Sequence, residues 1–145
     1  SIRDLPTILE GISEAISTTR SLMMITEHVR TRLARQLSNA NANEFGVIPL
    51  VTLSPEWEHA FAESIIGEGD ERQLAMAPTA LQGFITKVRN VLEDLAVKGE
   101  TAVLLTSPAI RPFVRSIIER FRPLTVVMSQ NEIHPKAKIK TVGQI

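Results

Sequence analysis

One short grammar occurs twice in the chain and constrains its fold more than any other feature. The β-branched apolar run Val47-Ile48-Pro49-Leu50-Val51-Thr52-Leu53 passes directly into Ser54-Pro55, and Ala102-Val103-Leu104-Leu105-Thr106 passes directly into Ser107-Pro108. A serine accepts backbone N–H groups at a helix start, and proline suits the first helical position, where its missing N–H is not needed. Two strand–Ser-Pro–helix units predict an α/β layer. Pro49 cannot donate to a ladder, so the first strand requires an edge or a bulge near its start. Between the units, Pro78 to Val97 reads as a long helix with Leu81, Phe84, Ile85, Val88, Leu92 and Leu95 on one face and Gly99 as its stop. A helix after Pro108 repeats Ile110, Phe113, Val114, Ile117, Ile118 and Phe121, and Leu124 to Met128 is the third strand. Crossovers within a sheet are right-handed, so 102–106, 108–121 and 124–128 form a βαβ unit. Ser129-Gln130-Asn131-Glu132 has the pattern of a capping box, held to one turn by Pro135. The tail Lys136 to Ile145 adds a short edge strand, its lysines guarding against stray pairing.

Upstream the period is helical. Leu5, Ile8, Leu9, Ile12 and Ile16 make one stripe on a helix capped by Asp4, which leaves Pro6 in the tolerant first turn; Gly11 weakens this helix. Had Ser1 been the cap, Pro6 would have fallen in the ladder. A second helix from Ser21 places Leu22, Ile25, Val29, Leu33 and Leu37 inward and Arg30, Arg32 and Arg35 mostly outward, giving an antiparallel pair. The polar, turn-prone Ser38-Asn39-Ala40-Asn41-Ala42-Asn43 marks the boundary between a helical module, 1–43, and an α/β module, 44–145. The expected fold is α+β or α/β: a helical module followed by a small three-layer α/β domain with a short, mainly parallel sheet.

Composition narrows the function. With 145 residues and no cysteine, disulfide scaffolds, thiolate chemistry and cysteine-based zinc sites are excluded. The longest apolar run, Phe45 to Leu53, falls far short of the roughly 20 residues of a membrane helix. Ser1-Ile2-Arg3-Asp4 shows neither an initiator Met nor a leader pattern, so a longer parent is expected. The net charge of zero hides segregation: 1–43 carries 5 basic and 4 acidic groups, 44–78 carries 1 and 7, and 79–145 carries 10 and 5. Complementary patches of this kind steer association with proteins. Nucleic-acid binding is disfavoured, because there is no basic domain with interleaved aromatics and no Tyr.

Chemistry-bearing residues form no centre. Glu56, His59 and Glu63 share one side of a helix, yet di-metal bundles need a second Glu-x-x-His, which is missing; an acidic first turn is the simpler reading. His28 and His134 are isolated. Gly67-Glu68-Gly69-Asp70-Glu71 lacks the Lys-Ser or Lys-Thr of a phosphate loop and reads as a mobile surface loop. Without a Gly-x-Ser-x-Gly elbow, Ser54, Ser107 and Ser129 read as helix caps. Met23-Met24 fills the core or serves an adaptable interface. Arg111 and Arg115, with Glu119, form a cationic face opposite the Ile110/Phe113/Ile117 stripe, which docks an acidic partner or simply keeps the helix soluble. Arg30, Arg32 and Arg35 carry the same pair of readings. No cofactor and no catalysis are expected; the competing class is a small α/β ligand-binding enzyme with its site at the strand carboxyl ends near Ser54, Ser107 and Ser129.

Several ordered segments carry a family resemblance: Ser1-Ile2-Arg3-Asp4-Leu5, Ile8-Leu9-Glu10, Thr26-Glu27-His28-Val29-Arg30 with Leu33-Ala34-Arg35, Ser107-Pro108-Ala109-Ile110-Arg111, and Met128-Ser129-Gln130-Asn131-Glu132-Ile133. Together they resemble the FlhA family, membrane components of the flagellar type III export apparatus, whose members include the export-gate proteins of virulence injectisomes. The Thr-Glu-His-Val-Arg and Asn-Glu-Ile segments incline the resemblance to the flagellar branch, with the injectisome branch as the alternative. It implies a parent with N-terminal membrane helices and a cytoplasmic region of four subdomains at the inner membrane. Residues 1–43 would match the third subdomain and 44–145 the fourth. It further implies a homo-oligomeric, nonameric ring that receives export chaperones and substrates and contacts other export-apparatus proteins. Membrane contact would come only through the absent helices. On this resemblance Arg30, Arg32 and Arg35 would make lateral ring contacts, and Arg111 and Arg115 would meet an acidic neighbour.

Overall fold

In the computed structural model residues 3–145 are described; Ser1 and Ile2, which open the first resemblance segment, lie outside the described residues. The chain begins with three helices, α1 (Leu5–Ile16), α2 (Leu22–Arg32) and α3 (Ala34–Ala40). It continues through β1 (Val47–Thr52), α4 (Pro55–Ser64), a short hairpin of β2 (Ile65–Ile66) and β3 (Gln73–Leu74), and α5 (Pro78–Val97). The last elements are β4 (Val103–Thr106), α6 (Arg111–Ile118), β5 (Val127–Ser129) and β6 (Lys138–Gln144).

Four strands form one sheet in the order β5-β4-β1-β6, and every pairing is parallel. A parallel sheet is stable when helices cover both faces, and its strands then read as continuous apolar runs. The side chains divide with a period of two. Val51, Leu53, Leu104 and Val127 join Phe61 of α4, Phe84, Val88 and Leu92 of α5, and Val114 and Ile118 of α6. Ile48, Leu50, Val103 and Met128 point the other way, onto Leu33 and Leu37, with Ile8 and Val29 behind them. The segments 1–43 and 44–145 therefore share a core across the turn at Asn43, whose side chain accepts the N–H groups of Phe45 and Val47. Each large apolar side chain that is fully buried stabilises the fold by about 1.5–3 kcal/mol.

Of the edge or bulge that Pro49 requires, the structure has the bulge: β1 is internal, its ladder to β4 begins at Leu50, and its register to β6 shifts between Leu50 and Val51. Several other expectations need correction. The second helix is not continuous; it breaks at Leu33, whose ψ of 16° lies outside the helical range. The α1 stripe does not face inward as a whole. Leu5, Leu9 and Ile16 are exposed, whereas Gly11 and Ala15 are buried. Gly11 is there for close approach: a Cβ on it would lie 3.3 Å from Val29 Cγ2. Ser107-Pro108 opens no helix either. Residues 108–110 form a turn, Ile110 occupies the cap position without a side-chain bond, and Pro112 sits in the first turn of α6. The third strand starts later than expected, leaving Leu124 exposed.

The Gly67–Glu71 stretch is framed by the antiparallel pairs Ile65–Leu74 and Ile66–Gln73. Gly67 has φ +85°, and a Cβ on it would lie 2.5 Å from the Glu71 carbonyl oxygen. Gly67→Ala is expected to open this hairpin, at a conformational cost of about 1–2 kcal/mol before the clash is counted. Hydrogen exchange checks it: the Ala75 N–H, bonded to Ser64 O at 2.7 Å, should exchange faster, while β1 amides remain protected.

Candidate docking surface

Of the five arginines expected at interfaces, Arg111 is buried and Arg30 is half-buried, both in one charge network. The capping box over Ser129 turns the Glu132 side chain back onto the Ser129 N–H, leaving it 1% exposed between α2 and the start of α6. There Arg30 meets it bidentately, Nε to Oε2 and Nη2 to Oε1, both at 2.9 Å. Arg111, 6% exposed, lies 3.5 Å from Glu132 Oε1, donates to the Val127 carbonyl at 3.0 Å and bonds Glu27 at 2.8 Å. Ser38 of α3 completes the tie by donating to the Glu132 carbonyl and accepting the His134 N–H. This network fastens α2 and α3 to the carboxyl end of β5. The cationic face expected opposite the Ile110/Phe113/Ile117 stripe is thus corrected: Arg111 points into the fold, because the carboxylates of Glu27 and Glu132 and the carbonyl of Val127 converge on it.

Burial raises the Glu27 carboxyl above its usual range; Arg111 opposes this and the charge of Glu132 reinforces it. Burial, then repulsion from Arg30, lowers the Arg111 guanidinium from its usual value, though it stays charged. A raised carboxyl contributes stability below its unfolded pKa and loses it as pH rises through the folded one. Stability of the wild type should therefore decline relative to Glu27→Gln as pH climbs from 4.5. Urea midpoints of both proteins between pH 4 and 7 check the sign, and equal slopes would contradict it.

The other three lie further out. Arg32 bridges α2 to α1, with Nε 3.0 Å from Glu14 and Nη2 3.5 Å from Glu10. Arg115 is paired loosely with Glu119, at 3.6 Å, and is half-buried. Arg35 is exposed and close enough to help lower the Asp4 carboxyl, whose main cause is hydrogen bonding from Thr7.

At the strand carboxyl ends, Ser54 caps α4 by accepting the Trp57 N–H, and Ser129 caps the turn 130–132. Ser107 caps nothing; its N–H donates to Glu58 at 3.0 Å. A hollow of about 540 Å³ beside them is lined by Thr52, Glu58, His59 and Gln130. His59 is exposed, 3.1 Å from Glu63. His28 lies 3.7 Å from Glu14, and His134 Nδ1 accepts the Lys136 N–H. Among the described residues no three His, Asp or Glu side chains are arranged to hold a metal ion. The Met pair stays out of the core: Met24 is exposed and Met23 half-buried, its sulfur 3.6 Å from Arg72 Nη2.

Apolar surface appears where the strands begin. A groove of about 840 Å³ runs past the amino ends of β1, β4 and β5, rimmed by Phe45, Ala96 and Leu124. Phe45 is 78% exposed and Leu124 94%, and Val97, next to Ala96 in sequence, is 89% exposed. Sequence reading missed all three, although Phe45-Gly46 and Pro123-Leu124 each put a large apolar residue in a turn, where no core is available. Leu5 and Leu9 of α1, one turn apart, form a second apolar ridge.

A family model described as the FHIPEP family matches residues 1–138. The chain belongs to the FHIPEP family. Its relative in Caulobacter vibrioides, the flagellar biosynthesis protein FlhA, is 60% identical over all 145 residues, which span 21% of that protein. The chain thus covers about a fifth of the curated FHIPEP relatives it matches. Two solved structures superpose along its whole length. The CdsV protein of Chlamydia pneumoniae, in complex with CdsO, has TM-score 0.80 and 30% identity, with 43% of that chain covered. The nonameric EscV cytosolic domain from the type III secretion system has TM-score 0.76 and 25% identity, with 42% covered. The helical layer and parallel sheet are thus the fold of the matching part, under half, of these two export-gate chains.

Proposed function

We propose that this chain is a non-catalytic docking and ring-assembly part of a flagellar type III protein export apparatus, working in protein secretion and flagellum assembly at the cytoplasmic face of the bacterial inner membrane. The observation that carries the reading is 60% identity to a flagellar FlhA along the entire chain. The nonameric relative and the relative solved with CdsO support self-assembly and contact with other secretion proteins; export chaperones and substrates belong to the proposal as further partners. The exposed apolar ridge of α1 and the groove at the strand amino ends suit further domains of the parent and protein partners, since large exposed apolar patches mark interaction sites. No described helix is long and apolar enough to cross a membrane, so attachment would come from elsewhere in the parent. The injectisome reading draws on relatives of lower identity.

The test is complementation. A host lacking its FlhA should regain motility and secretion of flagellar subunits when its gene carries residues 1–145 in place of the matching segment. The same strain with this segment deleted should be non-motile. Restored motility by a version lacking the segment would overturn the proposal.

A further inference from the structure

Opposite charges sit at opposite ends of the helical layer. The tip of the β2–β3 hairpin carries Glu68, Asp70 and Glu71, all exposed and none in an ion pair among the described residues. Arg72, the one cation nearby in sequence, is turned inward, its guanidinium 5.9 Å from the Phe113 ring and its Nη2 near Met23 at the start of α2. At the far end, a groove of about 330 Å³ is lined by Arg35, Ser38 and Asn39 of α3 and by His134, Lys136 and Lys138 leading into β6. No carboxylate lines it, and Arg35, Lys136 and Lys138 form no ion pair among the described residues. His134 Nδ1 accepts the Lys136 N–H, so its Nε2 is left to donate.

The hairpin is held at Met23, at the start of α2, and the groove begins at Arg35 on α3, so most of α2, roughly 14 Å at 1.5 Å per helical residue, and the break at Leu33 lie between them. The tip therefore does not neutralise the groove of its own chain. We propose that the acidic hairpin tip of one copy docks in the basic groove of the next copy. The contact is head-to-tail, and such a contact closes into a ring when the rotation per copy allows. The inference rests on the self-assembly reading above and names the surfaces that carry it. Exposed charges of this kind steer association at a reach of about 8 Å at physiological salt, so assembly should weaken as salt rises.

Because residues 1–145 contain no cysteine, Glu71→Cys and Lys136→Cys can be introduced as a unique pair. They are placed in the full-length protein with any cysteines elsewhere replaced. Under oxidant the double variant should give a ladder of covalent multimers; Lys136→Cys alone should give none, and Glu71→Cys alone nothing beyond dimers. In the same background, Asp70→Lys with Glu71→Lys should raise the concentration at half-assembly about tenfold, as should Lys136→Glu with Lys138→Glu, and combining all four should restore it. If the wild type assembles, both reversed pairs assemble normally and no ladder forms, the inference fails while the assembly reading stands. Assembly lost in either pair and not restored by the combination also overturns it, because the two surfaces then do not meet each other. A wild type that remains monomeric overturns both readings.

Discussion

Glu132→Ala should lower the unfolding free energy by about 3–5 kcal/mol, the range for removing one partner of a buried ion pair. The carboxylate is 1% exposed and compensates two guanidiniums together: Arg30 through two bonds of 2.9 Å, and Arg111 at 3.5 Å. Without it Arg111 retains Glu27, but Arg30 keeps only a long bond to the Val127 carbonyl, at 3.4 Å. The Ser129 N–H also loses its acceptor. Domains are stable by about 5–15 kcal/mol, so the loss is a large share of the total. Glu132→Gln, which keeps the shape and an acceptor oxygen, should cost clearly less. Urea unfolding of the three proteins decides it; a loss below about 1 kcal/mol would mean that α2 is held by apolar contact at Val29 and Leu33 alone.

Phe84→Ala should cost a similar amount, about 3–5 kcal/mol, for a different reason. The Phe84 ring is fully buried at the centre of the larger core, 4.8 Å from Phe61 and 5.2 Å from Trp57 between ring centroids. Removing it leaves a cavity among rigid elements that cannot all close in, since α4 and α5 are each fixed on the sheet. Phe84→Leu, which refills much of the volume, should recover more than half. Trp57 is the only tryptophan, so its fluorescence reports directly on this contact during unfolding. An unshifted midpoint in Phe84→Ala would show that the core collapses around the gap.

The layer architecture was legible because burial on both faces of a parallel sheet writes itself as uninterrupted apolar runs, at 47–53 and 102–106. Asp4, Ser54 and the Ser129–Glu132 box were legible because caps are local. What failed was non-local. An arginine on a helix reads as outward until a distant carboxylate is known to lie beneath it: Arg30 and Glu132 are 102 residues apart, Arg111 and Glu27 84. The α1 stripe misled because Leu5 and Leu9 obey helical spacing while the close face is made by Gly11 and Ala15, which a hydrophobicity pattern ranks low. Ser107-Pro108 misled because Pro112 offers a second legal start one turn later. Of the five arginines singled out as interface candidates, Arg35 lines the basic groove, and it does so beside lysines that sequence reading had assigned to edge protection.

The pairing of β6 with β1 has a temporal side. Val47 lies opposite Lys138, and the backbone of Ile145 closes the ladder against Thr52 and Ser54. A ribosome adding about 5–20 residues each second needs several seconds to make that stretch. Throughout that interval the outer hydrogen-bonding groups of β1 face no partner, and the apolar side chains flanking them await their cover. This segment should therefore lean on holdases during synthesis, and its commitment to the native state should come abruptly, with the arrival of β6.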